Sequence, residues 1–183
     1  MKETNPRIGV SSEDFVLTAT QAIACLVTYW TITHGFVRFL DHADDLLGGM
    51  WATVATAFVF RRSGSESFAA GVSRLIATGV SFVLCLAYLS VLPFNALGMV
   101  AILAIGTLVM TLLGRRDGIV TASITTIVVL VVAAIDPRHA MEQPLLRLVE
   151  TAVGVANGLC WRFVGSLLVS RTGEREPSRL RRR

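Results

Sequence analysis

Charge is scarce in this chain, and lysine is nearly missing. Asp, Glu, Lys and Arg make up 16% of its 183 residues, and Lys2 stands alone against sixteen arginines. Ordinary soluble domains carry about 25% charged residues. With 53% hydrophobic residues and a mean hydropathy of +0.63, the sequence excludes an ordinary soluble globule. The arginine bias hints at a GC-rich bacterial genome.

Metal and redox chemistry have little to work with. Cys25, Cys85 and Cys160 all fall in apolar runs, with no CxxC spacing, and His34, His42 and His139 form neither HxxxH nor HExxH. Neither a metal site nor a disulfide framework is expected, and no cofactor is implied. There is no Ser/His/Asp set and no phosphate-binding loop. An enzyme is therefore not expected, and any active transport would draw on ion gradients or a partner. Basic–aromatic interleaving is also missing, so nucleic acid is not an expected partner.

Long apolar segments are what the chain does have. A membrane-spanning helix takes roughly 17–25 mostly apolar residues, and six segments qualify: Phe15–Thr33, Leu46–Phe60, Arg74–Leu92, Ala96–Leu113, Ile119–Ile135 and Leu145–Val169. The second is short and opens on Gly48-Gly49. The first lacks a small-residue cleavage site and reads as a retained span. Lys2 and Arg7, Arg61 and Arg62, Arg115 and Arg116, and the arginine-rich end fall on one side of alternating spans. The other side carries Arg38 with Asp41, Asp44 and Asp45, the neutral stretch 90–95, and Arg138 with Asp136 and Glu142. The positive-inside rule predicts a multi-pass protein of the cell (inner) membrane with both termini cytoplasmic. The basic tail is suited to anionic lipid headgroups. The expected organisation is one membrane domain over residues 1–170 and a disordered basic tail over 171–183.

One phrase occurs twice, Arg74-Leu75-x-x-Thr78-x-Val80 and Arg147-Leu148-x-x-Thr151-x-Val153, 73 positions apart. Each follows a short apolar run and a polar connection. Repeats of three spans return inverted in the bilayer, so the expected fold is an all-α polytopic protein of about six transmembrane helices in a 3+3 inverted repeat. Arg74 and Arg147 are expected at the starts of the third and sixth spans. There a guanidinium and free helix N–H groups together suit a carboxylate, with one arginine near each membrane face. The alternative is that each arginine snorkels to lipid phosphate.

Glu150 lies one turn inside Arg147 and is either a coupling or gating carboxylate or half of a structural ion pair. Thr78 and Thr151 either donate to substrate or bond between helices. Trp51 is an aromatic wall or an interfacial anchor. Ser63-Gly64-Ser65-Glu66-Ser67 reads as a turn and cap before the third helix. Asn157 reads as helix glue and Arg162 as a snorkelling residue. His34 and His42 lie among acidic residues at the outer interface, where pH sensing is conceivable. Gly154-x-x-x-Gly158 suits close helix approach in a tight bundle or a dimer seam.

The stretch Gly49-Met50-Trp51-Ala52-Thr53 through Arg74-Leu75-Ile76-Ala77-Thr78-Gly79 resembles the fusaric acid resistance / aromatic acid exporter family of integral membrane transporters. Trp51, Ala52 and Thr53 match that family's aromatic-Trp-Ala-x-Thr span, Ser63-Gly64-Ser65 its polar connection, and Arg74 with Thr78 its Arg-x-x-Gly-Thr start. Ala77 departs from the family's glycine. Arg147-x-x-Glu150-Thr151-x-x-Gly154 resembles a later family segment, and the likeness covers roughly residues 15–170. It implies efflux of organic anions, commonly aromatic carboxylates, by a secondary carrier or channel. Members are often longer, so this chain would pair with a copy of itself as a dimer or with a partner membrane subunit. A non-transporting membrane scaffold, or a subunit of a larger membrane complex, is the competing expectation.

Overall fold

In a computed structural model, residues 12–35 and 42–173 are described, and they form six α-helices and no strand. The helices are α1 (Ser12–Gly35), α2 (His42–Val59), α3 (Gly64–Val91), α4 (Ala96–Leu112), α5 (Ile119–Ile135) and α6 (Gln143–Gly173). Short 3-10 turns at Arg116–Gly118 and Pro137–His139 lead into α5 and α6. By length and composition α1, α3, α6 and the segment Arg116–Ile135 suit a membrane crossing, while α2 and α4 are shorter apolar helices. Lys2, Arg7, Arg38, Asp41 and the tail over 174–183 lie outside the described residues, as do the side chains of His42, Asp44 and Asp45.

Local chemistry sets the helix ends. The Ser63 hydroxyl accepts from the Glu66 N–H at 3.2 Å and caps α3, and Asn95 Oδ1 accepts from the Leu97 N–H at 2.9 Å and caps α4. The Tyr88 hydroxyl donates to the Pro93 carbonyl and accepts from the Asn95 N–H, both at 3.1 Å, fixing the α3–α4 turn. Gly114, at φ +69°, takes the left-handed conformation that ends α4.

The polarity of the bundle runs opposite to that of a soluble protein. Leu97, Leu112 and Ile135 are exposed, whereas Arg74, Arg147, Glu150 and Arg162 are buried. In hydrocarbon the outside must be apolar, and ionisable groups turn inward to partners or cavities. The core itself is built from small residues such as Ala24, Ala52, Ala55, Ala77 and Ala122, so van der Waals approach and hydrogen bonds replace hydrophobic collapse.

α6 packs on α1, α2 and α3, while α3 packs on α4, α5 and α6. Exchanging α1–α3 for α4–α6 maps each of these neighbour pairs onto another. On the α2–α6 seam, Gly154 lies so close to α2 that an added Cβ would sit 2.2 Å from the Ala52 carbonyl oxygen. The Thr56 hydroxyl donates to the Gly154 carbonyl at 2.9 Å and lies 2.8 Å from the Thr28 hydroxyl. Asn157 Nδ2 donates to Thr28 Oγ1 at 2.5 Å, so this residue links α6 to α1 as helix glue. Across the other half, the Ser81 hydroxyl donates to the Ala122 carbonyl at 2.9 Å and accepts from Thr126 at 3.2 Å.

Two positions differ from the sequence reading. α3 begins ten residues before Arg74, because Ser63 caps a run of small residues whose hydropathy is low but whose helical packing is good; Gly71, for instance, sits against Val155. Arg162 does not snorkel. It is buried, and its guanidinium donates from Nε to the Arg61 carbonyl at 2.8 Å and from Nη2 to the Arg62 carbonyl, tying α6 to the connection between α2 and α3. Of the two uses expected for the Gly154–Gly158 stripe, the structure shows close approach within the bundle, against Ala52 and Thr56 of α2.

Candidate functional site

Between α2, α3 and α5 lies a cavity of about 300 Å³, lined by Trp51, Phe58, Arg61, Ser73, Arg74 and Thr125 among others. Asp117, in the turn Arg116–Gly118, also lines it and accepts from the Ser73 hydroxyl at 2.5 Å. Trp51, Arg74 and Thr125 also line a much smaller pocket, which Val128, Arg147 and Thr151 complete. The two spaces are neighbours that share the Trp51, Arg74 and Thr125 side chains. The structure thus brings Trp51, Arg74, Arg147 and Thr151 together.

Arg74 is not at a helix tip, and the two arginines do not stand apart at opposite faces. With its cap at Ser63, α3 carries Arg74 about 15 Å along its axis. Arg147 sits in the second turn of α6. Both are buried, at 8% and 3% exposure, so neither guanidinium reaches out to a headgroup. Arg74 Cζ lies 4.6 Å from the centre of the Phe58 ring, and Arg147 Cζ lies 5.8 Å from that of Trp51. Such cation–π contacts contribute about 0.5–2 kcal/mol. They place each guanidinium beside an aromatic ring.

The two arginines differ in compensation. Arg147 Nη1 is 2.9 Å from Glu150 Oε2, close enough for an ion pair but not aligned as a hydrogen bond. Arg74 has no carboxylate partner among the described residues, and its Nε has no acceptor. A buried charge without a partner is strongly unfavourable, so the site is electrostatically poised for an anion. Trp51 Nε1 is likewise buried and without an acceptor.

Glu150 is wedged against α2: a Cβ on Gly48 would stand 2.5 Å from Glu150 Oε1. Thr78 lies one turn beyond Arg74, its buried hydroxyl without a partner, and it is not among the cavity's lining residues. His34 is exposed, with Nδ1 2.9 Å from the Thr33 hydroxyl.

Sequence reasoning missed Phe58, Arg61, Ser73 and Asp117. Arg61 reads as a topology marker and Phe58 as one more apolar residue. Asp117 carried the one available signal, an isolated acid between two arginines and an apolar run.

No group of three or more His, Cys, Asp or Glu side chains suited to a metal occurs among the described residues. No curated protein and no solved structure matches the chain. The family described as fusaric acid resistance protein-like matches residues 23–161, which takes in the helices and arginines of the cavity. On that match, and with four helices long and apolar enough to cross a membrane, the chain belongs to the fusaric acid resistance protein-like family of multi-pass membrane transporters.

Proposed function

We propose that the protein exports organic anions, aromatic carboxylates among them, as a secondary carrier or channel of the inner membrane with both termini cytoplasmic. The observation that carries this reading is the pair of buried guanidiniums lining one small pocket, where Arg147 has Glu150 beside it and Arg74 has no carboxylate partner among the described residues. Arg74 is the primary anion position, since it lacks an acid of its own. A carboxylate there accepts two parallel N–H bonds and neutralises a charge that the fold leaves bare.

Arg147 is the second position, screened until substrate competes with Glu150 for it. In this role Glu150 gates or couples the transfer. Thr151 offers a hydroxyl beside Arg147, Trp51 a flat apolar wall, and Thr78 a further hydroxyl next to Arg74. The neighbour relations of α1–α3 and α4–α6 support a 3+3 inverted repeat with Arg74 and Arg147 at equivalent places. The unit works with a copy of itself or a partner membrane subunit.

Efflux of benzoate and related aromatic acids from loaded cells, with and without the protein, tests this. Arg74→Gln and Arg147→Gln should each lower export about tenfold or more, the scale of a lost charge-assisted pair. Equal efflux with and without the protein, or full export by the double variant, refutes the reading.

A further inference from the structure

The cavity that leads to Arg74 is open at its side. α2 and α5 both lie against α3 but are not packed on each other, and the cavity fills the gap between them. Its rim is apolar and faces outward: Phe58 is 49% exposed, Val120 67% and Ile124 44%. Val120 and Ile124 belong to a segment long and apolar enough to cross a membrane and Phe58 to the shorter apolar α2, so an outward-facing apolar rim suits hydrocarbon. Behind it stand Trp51, Ser73, Thr125 and the bare guanidinium of Arg74. A cation is therefore reachable from lipid across an apolar threshold.

Charge narrows what can cross. Around the cleft Arg61, Arg74 and Asp117 leave one net positive charge, and deeper in Arg147 and Glu150 cancel. One carboxylate balances the cleft. A second would stay unbalanced where the dielectric is low. The volume of about 300 Å³ lies at the small end of ligand pockets, roughly 300–1,000 Å³, and suits a small acid rather than a two-chain lipid.

We propose that the α2–α5 cleft is a side entrance, through which an amphiphilic monocarboxylate passes from the leaflet beside the arginine-rich connections directly onto Arg74. Its apolar body slides along Phe58, Val120 and Ile124 while its carboxylate meets the guanidinium. This rests on the anion pathway argued above and adds the route and the charge of the substrate.

Trp51 is a built-in reporter of the cleft. In the full chain carrying Trp30→Phe and Trp161→Phe, reconstituted in phosphatidylcholine vesicles, 8-bromooctanoate should quench Trp51 saturably. Arg74→Gln should weaken that binding about tenfold. Suberate, of the same carbon count but with two carboxylates, should compete about tenfold more weakly than octanoate. Val120→Phe with Ile124→Phe, which add bulk at the exposed rim of the cleft, should slow octanoate export several-fold.

Unsaturable quenching, or suberate competing as well as octanoate, overturns the side entrance. So does oxidation of Ile124→Cys to a covalent dimer in membranes, since the cleft would then be an interface between copies. If these tests fail while benzoate export still needs Arg74 and Arg147, the anion pathway stands and the entrance falls. Saturable, Arg74-dependent quenching without any export keeps the cleft and removes the transport reading.

Discussion

Arg147 and Glu150 face each other 2.9 Å apart on successive turns of α6, both buried. Removing the acid alone leaves a guanidinium uncompensated, and breaking a buried pair costs about 3–5 kcal/mol. Glu150→Ala should therefore lower the melting temperature in detergent by many degrees, whereas Arg147→Met with Glu150→Leu should restore much of it. If the single and double variants melt alike, the pair contributes nothing to the fold.

Gly154 tests the α2–α6 seam. An added Cβ would meet the Ala52 carbonyl oxygen at 2.2 Å and the Ala55 Cβ at 2.7 Å, both parts of rigid helix. Gly154→Ala should cost about 1–3 kcal/mol or more through forced separation of the helices. Gly79→Ala, with nothing within 4 Å of its Cβ position, should be neutral in the same thermal assay.

Asn157 should matter through Thr28. Its amide bridges α6 to α1 at 2.5 Å, beside the Thr28–Thr56 hydroxyl contact. Polar links between membrane helices are worth about 0.6 kcal/mol on average, up to about 1.7. Asn157→Leu should thus give a small loss of thermal stability, with export unchanged.

The turn before α6 carries a pH response of defined sign. The hydrogen bond from the His139 ring, 2.7 Å away, comes first in holding the Asp136 carboxyl below its usual 3.8, helped by the Arg138 N–H. A depressed carboxylate stabilises the turn fully above the unfolded value of about 3.9, and this is lost as pH falls through the lower, folded value. Carbon NMR of the labelled carboxyl should show that low midpoint, and His139→Ala should return it to the ordinary range.

Much of the architecture was legible because membrane helices announce themselves by composition. α5 occupies the bounds its sequence predicts, Ile119–Ile135, since Gly118 precedes it and Asp136-Pro137 follows it. The cap of α3 was legible in Ser63–Ser67, but its first turns were not: Ala69, Ala70, Gly71 and Ser73 read as connection on a hydropathy scale but are good contact surface between helices. The duplicated phrase marked Arg74, Arg147 and Thr151, and the family resemblance marked Trp51. That all four line one small pocket depends on how α2, α3, α5 and α6 cross, which no local pattern encodes. Arg162 was misread for the same reason: its acceptors lie about a hundred residues away.

The central place of α6 has a consequence for how the chain is made. It is the latest of the six helices to leave the ribosome, yet it supplies the donors for the Arg61 and Arg62 carbonyls and the acceptor for Thr56. Until it inserts, the connection after α2 lacks those donors, and Thr56 has only its contacts within α1 and α2. Biogenesis therefore keeps its earliest helices provisional, and the bundle locks only when its final member slides home.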